Sequence, residues 1–511
     1  MDTVHAYVTT VLTDKFEVPS EEIRPGVTLT ELGLDSLAVT ELLVTLQEHY
    51  GTSAPDDAVT GEATPEDVVG RTGERAAERS SAACRAGDTG VTATRSDRAV
   101  AVTGVGLVTP AGVGAEKTWQ RVCSGLPTAA EDPELAGAPV GFSCRVDGFD
   151  PREHVGGSQP WRYDRFTQFA LVAAREAVRD AALDPDTWDG ARVAVVLGSA
   201  AGGVTTYEEQ HHRLRTSGHR AVSPLTLPAF LPNMAAGQLA IDLGVHGPAL
   251  QTGTACASGA TALVTAAMLL ESDACDIAVA GGSDAMVTPM CATAFARAGA
   301  LSRGHGGPAG ASRPFDAARD GFVLAEGAGL LVLERAADAA ARRASPQAVL
   351  AGHGSTTDAH HAVAPRPDGR CLREATRQAL ARAGAAYGDV DHVNAHGTGT
   401  PLNDSTEAAV LGELFGPEGP AVTSTKGVTG HTMGAAGAVE AALTVLAVRR
   451  QTVPPTANFD RADDGTSGID VVHGAARQRP VELAVSNSCG FGGHNVVLVF
   501  APAPTVRGAR R

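Results

Sequence analysis

Three residues in strand-end contexts have types that do chemistry together. Cys256 lies in "QTGTACASGATAL", at a turn between a strand-like run and an Ala-rich helical run. A helix start favours a thiolate, and small neighbours leave the sulfur approachable. The other reading of Cys256 is a buried core cysteine, a common fate of this residue. His396 ends a strand-like run in "VNAHGTGTPLNDSTE", and His431 lies in "STKGVTGHTMGAAG", five residues after Lys426. Taken singly, each histidine is more often a satisfied structural residue. Three such loops offering Cys, His and His describe a nucleophilic thiol flanked by imidazoles, at the strand ends where α/β proteins build sites. The Gly-rich stretch "NSCGFGGHN" (Asn487–Asn495) adds backbone N–H groups that can face a developing oxyanion. Far upstream, "LGLDSLAVTELL" places Asp35 and Ser36 at the head of an apolar helical face, as helix caps or as something more.

Apolar, β-branched runs recur at Ala99–Thr103, Val193–Leu197, Ile277–Ala280, Leu330–Leu333, Val422–Ser424 and Val496–Phe500, with Ala-rich helical stretches between them. That alternation predicts an α/β body whose sheet is covered on both faces. The segments "ALQTGTACASGATALVTAAMLL" and "AVTSTKGVTGHTMGAAGAVEAALTVL" are alike, each a strand, a Gly/Ser/Thr turn and a helix. They hint at two duplicated halves. Before this body, Val4, Tyr7, Val8, Val11 and Leu12 share one helical face, Val39, Leu42, Leu43 and Leu46 share another, and Asp56–Val59 and Pro65–Val69 can supply further helical turns. This reads as a small helical bundle of residues 1–72. Residues 73–97, rich in Ala, Ser, Thr, Gly and charge without apolar periodicity, read as a flexible linker.

Composition narrows the function classes. The 511 residues are 43% hydrophobic and 19% charged, a globular balance, with a formal net charge of -17. The charge is uneven: residues 1–75 hold 15 acidic and 4 basic side chains, against 43 and 37 in the remainder. No basic cluster suits nucleic acid. No run reaches membrane length, and no metal-ligand spacing is present. The eight cysteines show no CxxC pattern, consistent with reduced thiols in the cytoplasm.

The stretch from about 98 to 503 resembles a β-ketoacyl synthase of the carrier-protein-dependent, thiolase-fold type. The carrying motifs are "VTGVGLVTPAG", "YDRFTQFAL", "PNMAAGQLAIDLGVHGP", "GTACASG", "SRPFDAARDGFVLAEGAGLLVLE", "DAHHAVAPRPDG", "HGTGTPLND", "TKGVTGHTMGAAGAVE" and "NSCGFGGHN". Residues 1–72 resemble an acyl carrier protein, with "LGLDSL" as attachment motif. The resemblance implies an all-α four-helix carrier bundle, then an α/β thiolase-like fold of two duplicated αβαβα halves (98–345 and 346–503) and a tail, 504–511. It implies Ser36 as the attachment point of 4'-phosphopantetheine, placed there by a phosphopantetheinyl transferase. Cys256 would carry the acyl chain as a thioester, while His396 and His431 would assist decarboxylation of a malonyl thioester and stabilise the enolate. The N–H groups of Cys256 and Phe491 would form the oxyanion hole. Lys426 and Glu407 would form a supporting charged pair, Thr398 and Thr400 would hold the pantetheine arm, and Phe295 and Phe491 would gate the acyl pocket beside Cys489.

The Cys-His-His set is that of the elongating members. The implied activity is decarboxylative Claisen condensation on acyl- and malonyl-carrier proteins, fused or separate, by a homodimer. The carrier fusion favours polyketide or specialised fatty-acyl biosynthesis over housekeeping elongation. Acyl loading without condensation, and a scaffold that presents the acylated carrier, are the other readings. The sequence also departs from the family. Cys489 stands where long-chain members usually carry phenylalanine, which fits a tolerated size change, a reshaped pocket or a second thiol. Val363 and Ala364 replace frequent hydroxyl residues. Arg162 and Arg220 match basic rim positions, whereas Ala221 and Gly299 do not.

Overall fold

The computed structural model describes residues 99–503, except 157–159 and 305, and within the first 98 residues 2–14, 16, 18–24, 26–32, 34, 39, 42 and 63–65. The chain divides into two compact units, Met1–Thr92 and Ala93–Arg511.

In the first unit the helix Asp2–Asp14 buries Val8, Val11 and Leu12 against Leu29, Leu32, Leu34, Val39 and Leu42. Val8, Val11 and Leu12 belong to the first apolar face that the periodicity assigns and Val39 and Leu42 to the second, whose Leu43 and Leu46 lie outside the described residues. Thr28 and Glu31 form a reciprocal cap: the Glu31 carboxylate accepts from the Thr28 N–H at 2.9 Å, and the Thr28 hydroxyl accepts from the Glu31 N–H at 3.2 Å. Most of the remaining expected bundle lies outside the described residues, as do Ser36, the 73–97 linker and the 504–511 tail.

The second unit is built on one twelve-stranded mixed sheet. Its strands are β1 (Val100–Thr109), β2 (Gly112–Val113), β3 (Val193–Gly198), β4 (Ala249–Thr252), β5 (Ile277–Ala285), β6 (Glu326–Arg335), β7 (Ala348–Thr357), β8 (His392–Asn394), β9 (Ala421–Thr423), β10 (Asp470–Val471), β11 (Ala484–Gly490) and β12 (His494–Ala501). The spatial order is β10-β9-β8-β11-β12-β7-β1-β6-β5-β3-β4, with β2 folded back on β1.

This order contains the same pattern twice. Strands β4, β3 and β5 are parallel, followed by antiparallel β6 and β1. Strands β9, β8 and β11 are parallel, followed by antiparallel β12 and β7. The two sets join through the antiparallel pair β1–β7. The duplication suggested by two similar segments is thus carried by the whole strand order. It extends to a helix contact: Gly106 and Gly354, on β1 and β7, lie so close to Ala173 and Ala375 that an added Cβ would come within 1.9 and 2.0 Å of their carbonyl oxygens. These alanines belong to the helices Arg165–Asp180 and Arg370–Ala383, which only glycine lets approach so closely.

The six strand runs read from the sequence fall on β1, β3, β5, β6, β9 and β12. Strands β1 and β6 are buried over almost their whole length, which explains their continuous apolar character. Two helices, Ser258–Glu271 and Ala436–Arg450, occupy equivalent places in the two halves, each after a 3₁₀ turn. They pack on each other and on the sheet. Thirteen of the 15 residues of Ala436–Arg450 are buried, so the helix is enclosed on all sides. Among the described residues no helix is long and apolar enough to cross a membrane.

Candidate active site

The carboxyl ends of the two parallel strand sets deliver the chemistry. Cys256 follows β4, His396 follows β8, His431 follows β9 and Phe491 follows β11. Cys256, His396, His431, Phe491, Thr398, Thr400 and Cys489 line one cavity of about 350 Å³, whose outer wall includes Gly299, Val363, Ala364 and Leu402. The dispersed loops of the sequence therefore meet in one place.

Cys256 occupies the 3₁₀ turn Ala255–Ala257, entered through Ala255 at φ 47°, a left-handed conformation that non-glycine residues adopt at a cost. The turn aims the sulfur into the cavity at the start of the helix Ser258–Glu271. Gly490 makes room for it: a Cβ there would meet the Thr254 carbonyl oxygen at 2.4 Å and the Cys256 nitrogen at 3.3 Å. Burial pushes the Cys256 thiol up to about 11, and the Lys426 charge and the Phe491 N–H, which donates to the sulfur, both oppose that rise. Phe295 packs in the apolar cluster around Cys256 and stands 6.4 Å from the Phe491 ring, centroid to centroid.

The imidazoles of His396 and His431 meet edge to face at 5.5 Å between centroids. Burial and the Lys426 charge hold both pKa values well below the ordinary histidine value, so both rings are neutral. Their tautomers follow from their partners. The Met433 N–H donates to His431 Nδ1 at 3.3 Å, so the ring proton resides on Nε2. The Lys426 ammonium approaches His396 Nδ1 at 3.4 Å and donates to the His396 carbonyl at 2.5 Å, which favours the same tautomer. Both rings therefore carry an Nε2–H donor.

The supporting charges differ from expectation. Lys426 pairs with Glu440 and not with Glu407. Glu440 lies one turn into the enclosed helix Ala436–Arg450, where an ionisable side chain needs a partner. Burial pushes the Glu440 carboxyl up to about 7, and Lys426 acts against that rise. Glu407 serves the backbone instead. Its carboxylate accepts from the N–H groups of His396 and Gly397, both at 2.8 Å, and from Asn487 Nδ2 at 3.2 Å. Asp404, one turn earlier on the helix Pro401–Phe415, accepts from the Gly399 N–H at 3.1 Å and the Phe315 N–H at 2.7 Å. Two carboxylates of one helix thus hold the loop that carries His396. Sequence reading missed Glu440 and Asp404. Their signals were a single acid inside an apolar helix and an acid three residues before Glu407.

Thr398 and Thr400 place their hydroxyls 2.9 Å apart. The thiol of Cys489 is held well above its ordinary value by burial and by the charges of Glu407 and Asp358. The seven described cysteines are all free, and the described residues contain no group of three or more side chains arranged to hold a metal ion.

Comparison with known proteins agrees with this arrangement. Residues 97–339 match the beta-ketoacyl synthase N-terminal domain, residues 347–460 match its C-terminal domain, and residues 6–71 match the phosphopantetheine attachment site. The chain is 38% identical over 408 residues to 3-oxoacyl-[acyl-carrier-protein] synthase 2 of Staphylococcus aureus strain COL, covering 79% of this chain and 98% of that protein. The Synechocystis enzyme of the same name is 39% identical over 78% of this chain and 97% of its own length. Among solved structures, the ishigamide ketosynthase/chain length factor superposes with a TM-score of 0.75 at 31% identity, covering 80% of this chain and all of that one. A type II polyketide ketosynthase in complex with its acyl-carrier protein and bound to the hexaketide gives 0.73 at 30%, with the same coverages. With matches across both catalytic halves and the segment before them, the chain belongs to the β-ketoacyl synthase family, has its thiolase-like fold, and carries a phosphopantetheine attachment domain at its N-terminus.

Proposed function

We propose that the chain condenses an acyl group held on Cys256 with a malonyl-type extender, losing carbon dioxide, in polyketide or specialised fatty-acyl synthesis. The observation that carries this reading is the pair of neutral imidazoles, each with Nδ1 engaged and Nε2–H as donor, in the same cavity as the thiol.

The roles follow from the geometry. Cys256 exchanges its thiol for the incoming thioester, and the Phe491 and Cys256 N–H groups stabilise the oxyanion beside the sulfur. The departing carrier thiol takes the proton. A malonyl thioester then places its carbonyl oxygen between the two imidazoles. As carbon dioxide leaves, negative charge gathers on that oxygen and both Nε2–H groups stabilise the enolate by hydrogen bonds. Because the rings are neutral, they donate without delivering a full proton that would quench the carbanion. The buried, largely apolar surroundings strengthen those bonds. The carbanion attacks the Cys256 acyl carbon, and the sulfur departs.

The cavity suits a slender arm bearing amides. Thr398 and Thr400 provide hydroxyls, and Val363, Ala364 and Leu402 provide apolar walls. The 4'-phosphopantetheine group, attached at Ser36 by a transferase, supplies the thiol that carries substrate. Intact mass after incubation with coenzyme A and a broad transferase tests that site; a gain that persists in Ser36→Ala contradicts it. Phe295, Phe491 and Cys489 shape the acyl side. The open edge of β4, with exposed Leu250 and the exposed Ile241 of the adjoining helix, supports a homodimer. The free thiols support a reducing, cytoplasmic setting.

The deciding experiment measures carbon dioxide release from malonyl-carrier by the full chain, Cys256→Ala and His431→Ala. Release by the wild type that falls at least 100-fold in His431→Ala supports the reading. No release by the acylated wild type would leave acyl transfer or scaffolding as the function.

A further inference from the structure

The repeated halves allow each side of the site to be compared with its counterpart. The turn Ala255–Ala257 starts with a left-handed residue, Ala255, and runs into the helix Ser258–Glu271. The turn Met433–Ala435 starts with a left-handed residue, Met433 at φ 54°, and runs into Ala436–Arg450. Counted from these residues, Cys256 corresponds to Gly434. The neighbouring strand differs between the halves. Beside Cys256, β11 ends in Gly490, which has no side chain and lets the backbone of the Cys256 turn pack against it. Beside Gly434, β5 carries Asp284, and a Cβ on Gly434 would fall 2.3 Å from its Oδ2 and 2.4 Å from the Ala200 nitrogen.

Asp284 fills the equivalent position in the second half and ties it down. It is completely buried and accepts from the Gly434 N–H at 2.7 Å, the Ala200 N–H at 2.9 Å and the Ser199 hydroxyl at 2.6 Å. No basic side chain pairs with it among these contacts, so three donors from two segments hold the carboxylate in place. The residue before Gly434 is Met433, whose N–H fixes the His431 tautomer. A chain of contacts therefore runs from Asp284 through the 433–434 backbone to His431 Nδ1.

We propose that Asp284 is a positioning residue for the decarboxylation half of the reaction, acting through the Met433–Gly434 backbone to fix the orientation and proton of His431. It rests on the reading that His431 serves decarboxylation. It does not touch substrate, and its hydrogen bonds go to the 433–434 turn and to Ser199–Ala200, not to the Cys256 turn, which senses it only through its charge. The pseudo-symmetry explains the division: one turn presents a nucleophile to an open space, and the equivalent turn is locked by a carboxylate so that the histidine before it stays fixed.

The test separates the two half-reactions in the full-length protein. Asp284→Asn keeps the side-chain shape but removes the charge and turns one acceptor into a donor, which must face either the Gly434 and Ala200 N–H groups, both on Oδ2, or the Ser199 hydroxyl on Oδ1. Acyl loading of Cys256 is followed by intact mass, and carbon dioxide release from malonyl-carrier is followed in parallel, alongside wild type and His431→Ala. The expected result is loading within about twofold of wild type with decarboxylation lowered about 10- to 100-fold, and an altered ¹⁵N shift pattern of the His431 ring. Equal loss of both half-reactions, or no loss of decarboxylation, overturns the proposal. If Asp284→Asn does not fold, Gly434→Ala, whose methyl displaces the same contacts, must give the same split; equal loss there overturns it too. Undiminished decarboxylation in His431→Ala would instead show that the underlying reading of His431 has failed.

Discussion

Lys426 offers the most discriminating perturbation, because it has two separable jobs. Its ammonium neutralises Glu440, and it also faces His396 at the ring Nδ1 and the backbone carbonyl. Lys426→Met removes both. Leaving one partner of a buried ion pair alone costs about 3–5 kcal/mol of stability. Here the lower end applies, because Glu440, already pushed up to about 7, takes a proton when its counter-charge goes. The double variant Lys426→Met/Glu440→Leu replaces the pair by apolar groups, which is commonly neutral or stabilising, so the denaturation midpoint returns near wild type. Catalysis does not return. Without the lysine, His396 can move its ring proton to Nδ1 and turn a lone pair toward the enolate. One lost donor to a developing oxyanion costs about 2.7–4 kcal/mol, or about 100- to 1000-fold. Urea denaturation and carbon dioxide release from malonyl-carrier, measured on the same preparations, read the two jobs separately. A double variant that regains both stability and decarboxylation would refute the tautomer argument and reduce Lys426 to a counter-charge.

Other consequences are accessible to simpler assays. Glu407→Gln leaves a buried N–H of His396 or Gly397 without an acceptor, an expected loss of about 1–3 kcal/mol in urea denaturation with decarboxylation falling more than Cys256 loading. Gly490→Ala drives a methyl into the Thr254 carbonyl, so Cys256 loading should fall at least tenfold; unchanged loading would mean the turn is free to shift. Neither histidine should add a step to the decarboxylation rate between pH 8 and 6.5, since burial and Lys426 keep both neutral well below the usual histidine range, whereas Glu440, pushed up to about 7, can. A step near pH 6.5 that vanishes in His431→Ala would contradict this. Cys489→Ser should leave both half-reactions within about threefold, because its thiol stays protonated. Loss of transfer from Cys256 would make Cys489 a participant.

Much of the catalytic unit was legible because its signals are local. Strand runs such as Val193–Leu197 are apolar along their whole length, and the loop of His431 follows such a run, whereas β4 and β8, which precede Cys256 and His396, are short and only partly apolar, so their Gly/Thr loops carried the signal. The duplicated strand order was only hinted at, since β8 and β9 have three residues each and similarity between Ala-rich helices is weak evidence. The true partner of Lys426 was hidden for a physical reason. Both acids, Glu407 and Glu440, lie on helices near the site, and spacing along the chain does not say which helix turns its carboxylate toward the ammonium. That is decided by the His396 and Gly397 N–H groups, which already occupy Glu407. Asp284 was equally invisible: a strand-end aspartate gains meaning only when the turn it faces, 150 residues later, is in place.

Acyl transfer and decarboxylation must be two halves of one event at one cavity if Cys256, His396 and His431 work together. The direct measurement is a single turnover: load the full chain with an acyl donor, isolate the acyl-protein, add malonyl-carrier, and follow the Cys256 peptide and carbon dioxide together. The acyl mass should leave Cys256 with release of one equivalent of carbon dioxide and appear, two carbons longer, as a β-ketoacyl thioester on the carrier. Departure of the acyl group to the carrier unextended and without carbon dioxide would contradict condensation at this site.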